Sequence, residues 1–199
     1  MGIEITHEIE AFVQKVLGND FDHGYPHVVR VRNIAEKIVE TLNINVDRKL
    51  LNYAILLHDI GRVIGEPHAY YSALIAKSLL LERGFDDDFV NRVANAILYH
   101  SYSYSRKYRI KPLTEEAKIL SDADKLDALG VVGFLRVFIY NTKKGSKLDD
   151  VIKHFHEKIL RLPNLMHYEY TRKWAIKLRE KTVYLLKELG VELGIKILE

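Results

Sequence analysis

The chain has 199 residues, 48% hydrophobic and 29% charged, long enough for a core of its own and too apolar for a disordered polymer. Its 30 basic and 27 acidic side chains leave a formal net charge of +3, too small to imply nucleic-acid binding by itself. There is no cysteine, which excludes disulfides and thiolate metal sites, so any metal must be held by His, Asp, Glu, backbone or water. The opening MGIEITHEIEAF is acidic and amphipathic, unlike a signal peptide. No run approaches the roughly 18 consecutive apolar residues of a membrane span. A cytoplasmic protein without a membrane partner is the expectation.

Taken in chain order, the apolar residues recur at the helical period over 4–17, 26–42, 47–60, 68–84, 87–101, 114–128, 130–141, 147–160 and 166–193. Pro26 falls in the first turn of the second helix, where a missing N–H costs nothing. Asp47 and Thr114 are suited to cap helix N-termini, and Gly61, Gly84 and Gly145 fall where C-terminal caps are wanted. Strand-like alternation is confined to a short stretch near 102–110. The fold class is therefore all-α, a compact multi-helix bundle, with Trp174, Leu178, Leu185, Leu186 and Leu189 of the last helix expected to pack as core.

The ionisable residues are informative through the helix face they occupy. On the second helix, His27 precedes Val31 by four, in line with Ile34, Ala35, Ile38 and Leu42. His58 follows Leu51, Ala54 and Ile55 at helical steps. His100 follows Phe89, Val93 and Ala96 in the same way, and Asp124 follows Ala117 and Leu120. A buried carboxylate costs several kcal/mol, on the order of a lost ion pair, unless it is paired, hydrogen-bonded or bound to a cation. Two or more imidazoles and carboxylates facing inward together are most economically satisfied by one shared divalent ion. In AILLHDIGR, the apolar run anchors the helix, Gly61 ends it, and His58 and Asp59 are left at its rim, able to reach one ion.

Together, YPHVVRV, LLHDIGR and SDADKLDALG resemble the HD-domain metal-dependent phosphohydrolases. That resemblance spans about 22–141, with 142–199 as C-terminal helical elaboration of a single HD-type domain over 1–199. It implies His27, His58, Asp59 and Asp124 as metal ligands; Asp122 is the alternative in the last motif, although Asp124 better continues the apolar stripe. GEPHAYYSALIAKSLL and AILYHS also resemble a subfamily in which two further histidines bind a second metal. Here those would be His68 and His100, with Asp59 bridging; otherwise His68 is a surface residue at a helix start. His23, one turn before His27, is a weaker candidate ligand. Another branch of the family carries a glutamate shortly after the doublet, where this chain has Arg62.

The implied function is hydrolysis of a phosphomonoester or phosphodiester, with a nucleotide as the expected substrate and metal-activated water as nucleophile. The cofactor would be one or two divalent ions; Mn, Fe, Co, Ni, Zn and Mg all suit an N/O ligand set. Besides Asp59, the candidate catalytic residues are Arg30, Lys125 and Asp127. Arg30 and Lys125 are expected to contact phosphate, as is Arg62, and Asp127 to orient water or support a ligand. Their plainer readings are a surface ion pair for Arg30 and pairing with an arginine for Asp127. The basic, tyrosine-rich segment 101–112 would be a lip gripping phosphates and stacking on bases, or a solvated loop. Two other functions fit the same sequence: a non-catalytic, metal-stabilised nucleotide-binding or regulatory module, and RNA binding through that segment.

Overall fold

The computed structural model describes residues 2–197, with side chains from residue 4 onward. Among these the regular elements are all helical: α1 (Gly2–Leu17), α2 (Tyr25–Leu42), α3 (Arg48–Leu57), α4 (His68–Leu81), α5 (Asp87–His100), α6 (Tyr102–Tyr108), α7 (Glu115–Asp127), α8 (Gly130–Lys143), α9 (Leu148–Glu157) and α10 (Glu169–Leu193). Two 3-10 segments, Ile60–Val63 and Ile159–Leu165, follow α3 and α9. The chain divides into two compact units, Met1–Ala123 and Asp124–Glu199, and α7 runs across the division. No helix of the described residues is long and apolar enough to cross a membrane.

In the first unit α3 is the central rod. Leu50, Leu51, Tyr53, Ala54, Ile55, Leu56 and Leu57 are all buried, so this helix is apolar around nearly its whole circumference, as a helix enclosed by others must be. Helices α1, α2, α4 and α5 pack against it, and α4 and α5 pack on each other. Helix α1 contributes Ile9 and Val13, and α2 contributes Val28, Val31, Ala35, Ile38 and Val39. Tyr53 is wholly buried, edge-on to Phe85 at 5.2 Å between ring centroids, with its hydroxyl 3.0 Å from Thr6 Oγ1. Asp47 caps α3 by accepting from the N–H groups of Lys49 and Leu50, each at 3.0 Å. Its own N–H donates to Glu116 Oε1 on α7 at 2.6 Å.

Three local expectations change. Segment 102–110 holds helix α6 instead of extended chain: Tyr104 and Tyr108, four apart, pack at 4.5 Å between centroids, and Arg106 donates to the Tyr102 hydroxyl at 3.0 Å. Alternating serines and tyrosines over 101–105 read as period two, but one-turn contacts between the rings favour the helix. The third helix ends at Leu57 instead of 60. Asp59 adopts φ −108° and ψ 1°, outside helical geometry and near the bridge region that active-site residues often occupy. Gly61 is no left-handed cap, whereas Gly84 and Gly145, at φ 78° and 70°, do take that conformation.

In the second unit α8 packs on α10, and the segment Ile159–Leu165 joins α9 to α10. Phe155 is wholly buried, 5.6 Å from the Phe134 ring and 5.8 Å from the Phe138 ring. The buried line of α10 is Thr171, Ala175, Thr182, Leu186 and Gly190, smaller than the expected stripe; Leu186 is the member common to both. Trp174, Leu178, Leu185 and Leu189 are half-buried beside that line. Small residues there admit close neighbours. Gly130, at φ 70°, donates its N–H to Thr182 Oγ1 at 2.9 Å, and its missing Cβ leaves room for Leu178. Replacing Thr182 with the near-isosteric valine should strand that buried N–H and cost about 1–3 kcal/mol, measured by equilibrium chemical denaturation.

Candidate metal centre

Four imidazoles and one carboxylate converge in the first unit. His27 lies in the first turn of α2, His58 caps the C-terminus of α3, Asp59 follows it, His68 opens α4 and His100 closes α5. All are buried except His68, which is half-buried. Their rings form a row: His27 to His58 is 5.1 Å between centroids, His58 to His100 5.0 Å and His100 to His68 5.5 Å. Asp59 lies against this row with its two oxygens facing different pairs. Its Oδ2 is 3.6 Å from His27 Nε2 and 3.8 Å from His58 Nε2, while Oδ1 is 3.5 Å from His68 Nε2 and 3.7 Å from His100 Nε2.

The far side of three rings is already committed. His58 Nδ1 faces the Ile55 carbonyl oxygen at 2.7 Å, and His100 Nδ1 faces the Ile97 carbonyl oxygen. Both carbonyls lie in the last turns of helices, where no N–H four residues on remains to claim them. His68 Nδ1 faces Glu66 Oε2 at 3.1 Å. A neutral imidazole that donates from Nδ1 presents a lone pair at Nε2, and all three Nε2 atoms point at the cluster. Burial pushes His68 below its ordinary pKa; Asp59 opposes that shift, Arg62 and His100 add to it, and Glu66 opposes it. Low basicity keeps that ring neutral and able to donate a lone pair.

This donor set fits a divalent ion. The donor atoms of His27, His58 and Asp59 all lie within 4.8 Å of one another, as do those of Asp59, His68 and His100. His27 Nε2 and His58 Nε2 are 3.1 Å apart. Asp59 Oδ1 is buried and accepts no hydrogen bond, although buried carboxylate oxygens are rarely left so. Burial alone would raise the Asp59 carboxyl. The Arg62 guanidinium first, and then the neighbouring rings of His58, His100 and His68, together outweigh it, and the group is held well below the usual carboxylate range. It is therefore an anion in the folded protein, with one oxygen bonded to Arg62 Nε at 2.6 Å and the other unclaimed.

The remaining candidates are placed as follows. Arg30 donates from Nη2 to the Phe21 carbonyl at 2.9 Å and stacks 4.7 Å over the Phe21 ring. His23 has Nδ1 3.3 Å from Asp22 Oδ2 and belongs to neither donor group. Asp124, Lys125 and Asp127 belong to the second unit, Asp124 half-buried and the other two buried; Asp122, also buried, lies in the first. Asp127 accepts from Arg136 Nη1 at 2.9 Å. Glu66 escaped the sequence reading: its carboxylate accepts the His68 N–H at 3.1 Å as well as facing Nδ1. The available signal was an acid two residues before a histidine that opens a helix.

Residues 24–129 match the HD domain family, and the chain belongs to it. The uncharacterized protein YpgQ of Bacillus subtilis is 31% identical over 173 residues, covering 84% of this chain and 83% of that protein. A crystal structure of YpgQ in complex with ADP superposes with a TM-score of 0.74 at 29% identity, covering 96% of each chain. A predicted HD superfamily hydrolase from an uncultured Thermotogales bacterium superposes with a TM-score of 0.64 at 30% identity, covering 94% of this chain and 92% of the other. The fold is that of the HD superfamily hydrolases.

Gly61 sets the spacing between the doublet and α4. A Cβ built on it would collide with the Ser72 backbone nitrogen and stand 2.5 Å from the His68 carbonyl oxygen. The Gly61 N–H donates to Ser72 Oγ at 2.8 Å. Since the neighbours are backbone, they cannot rotate aside. Gly61→Ala should lower the melting temperature by several degrees, on the scale of about 1–3 kcal/mol for overpacking, and move His68 away from Asp59. Paired thermal melts and histidine NMR shifts check both effects.

Proposed function

We propose that the protein is a metal-dependent phosphohydrolase that cleaves a phosphate ester of a nucleotide, and that it works as a single HD-type domain. The observation that carries this reading is Asp59 Oδ1, a buried anionic oxygen with no hydrogen bond, set between the Nε2 atoms of two imidazoles. In this reading His27, His58, Asp59 and Asp124 hold one divalent ion, with Asp124 assigned by its motif. His68 and His100 share Asp59 with a second. Support for one domain comes from the family match, which runs from 24 to 129 and so across the division after Ala123. The ADP complex of YpgQ supports a nucleotide as ligand.

When bound, such an ion lowers the pKa of water and neutralises charge growing on phosphoryl oxygens. The chain's own residues supply the rest. The Ile55 and Ile97 carbonyls and the Glu66 carboxylate fix the rings of His58, His100 and His68, so their Nε2 lone pairs need no reorganisation. Helix α3, buried around nearly its whole circumference, holds the doublet in place while water is excluded from its apolar flank. Arg30 and Lys125 are assigned to substrate phosphate, where a guanidinium can bind two oxygens at once. Asp127, through its pairing with Arg136, is assigned to support the motif that carries Asp124.

Asp59→Ala should abolish metal retention and reduce hydrolysis of phosphate esters, an aryl phosphate and nucleotides alike, by more than about 100-fold, beyond the loss typical of a supporting residue. Elemental analysis of the purified protein and phosphate-release assays with Mn, Fe, Co, Ni, Zn and Mg check this. Exhaustive chelation should silence the wild type, and added metal should restore it. Turnover that survives chelation would refute the reading; tight nucleotide binding without turnover on any substrate would favour a binding or regulatory module.

A further inference from the structure

The two oxygens of Asp59 are unequal in a way the metal-centre reading does not use. Oδ1 accepts no hydrogen bond. Oδ2, which faces His27 and His58, already accepts from Arg62 Nε at 2.6 Å. Arg62 follows Asp59 by three residues within the 3-10 segment, so the backbone itself delivers the guanidinium to the carboxylate. Arg62 Nη2 lies 3.4 Å from His68 Nε2, and Nη1 is 3.9 Å from Glu66 Oε1. Its side chain remains 22% exposed, whereas that of Asp59 is 1% exposed. A charge that reaches from the rim to a buried anion is placed where a divalent ion would put its own charge.

Resting on that metal-centre reading, we propose that Arg62 is a resident counter-cation that neutralises Asp59 in the metal-free protein and competes with metal for Oδ2 on the His27 and His58 side. Two physical consequences follow from one contact. A guanidinium hydrogen bond occupies part of the oxygen's lone-pair space, and its charge repels a dication a few ångströms away. The same contact stabilises the protein before metal arrives, because a buried carboxylate left without a partner is costly. Arg62 therefore lowers the affinity for metal and raises the stability of the metal-free state, and the two effects are linked through one thermodynamic cycle. A residue that merely positioned Asp59 for coordination would do the opposite to affinity.

The test uses the full chain stripped of metal, titrated with Mn2+ alone by calorimetry, in parallel with thermal melts at zero and saturating Mn2+. Wild type, Arg62→Gln, Arg62→Lys and Asp59→Asn are compared. The expected result is Mn2+ binding to Arg62→Gln about ten-fold or more tighter than to wild type, the scale of one charge-assisted hydrogen bond. Metal-free Arg62→Gln should melt lower than wild type and gain more on metal addition, and Arg62→Lys should fall between. If Arg62→Gln folds only with metal, the wild-type to Arg62→Lys comparison of affinity decides in the same direction. Equal or weaker binding by both variants overturns the proposal while leaving the metal centre intact. Absence of Mn2+ binding by the wild type, with Asp59→Asn no different, overturns the metal centre and this inference together.

Discussion

The structure turns on the charge of Asp59. A carboxylate this deeply buried is tolerable only where a cation meets it, and the first unit supplies the Arg62 guanidinium and four imidazoles whose nitrogens suit a shared divalent ion. No one element could do so. The five groups come from the beginning of α2, the end of α3, the 3-10 segment, the beginning of α4 and the end of α5. Packing α1, α2, α4 and α5 around an apolar α3 is what brings those termini to one place. The hydrophobic core and the polar cluster are therefore one construction, in which burial provides the low dielectric that makes each contact with Asp59 strong.

Helix termini matter for a second reason. A helix leaves its last carbonyls without intrahelical donors, and a histidine in the last turn can claim one through Nδ1. His58 and His100 both do this, on carbonyls three residues back. The same bond satisfies the helix end, fixes the ring and leaves Nε2 as the inward donor atom. His68, at a helix beginning, has no such carbonyl and takes the carboxylate of Glu66 instead. Three rings thus reach one chemical state by two routes set by which end of a helix each occupies.

Much of this was legible in the residues. The stripe of Phe89, Val93, Ala96 and His100 is buried as its spacing required, and Asp47 and Pro26 sit at helix beginnings as their chemistry dictates. His27 and His58 were readable as inward-facing and Asp59 as a group at the helix rim, and the motif order supplied the family. What escaped depended on geometry that periodicity does not encode. Asp59 leaves the helical path at φ −108° and ψ 1°, a turn that the helical period of the preceding run does not encode. Gly61 looked like a cap because glycine often is one; its use here is the close approach of α4 backbone, visible only once α4 is in place. Helix α6 was masked by alternating serines and tyrosines, and the buried line of α10 by threonines and glycine that no hydrophobic stripe includes.

Residues 58–68 carry an unusual share of the chemistry. Within them lie a ring donor, the shared carboxylate, a glycine that admits the next helix, a guanidinium on one carboxylate oxygen, an acid, and the ring which that acid orients. Such a segment fixes the His68 side of the cluster largely through local geometry, whereas His27 and His100 reach Asp59 only through the packing of α2 and α5 on α3. The two halves should thus respond differently to a loosened core. Contacts made within the segment are protected by short sequence separation, while those to His27 and His100 depend on long-range packing and weaken first. The centre is then only as well formed as α3 is enclosed, and that helix is buried around nearly its whole circumference.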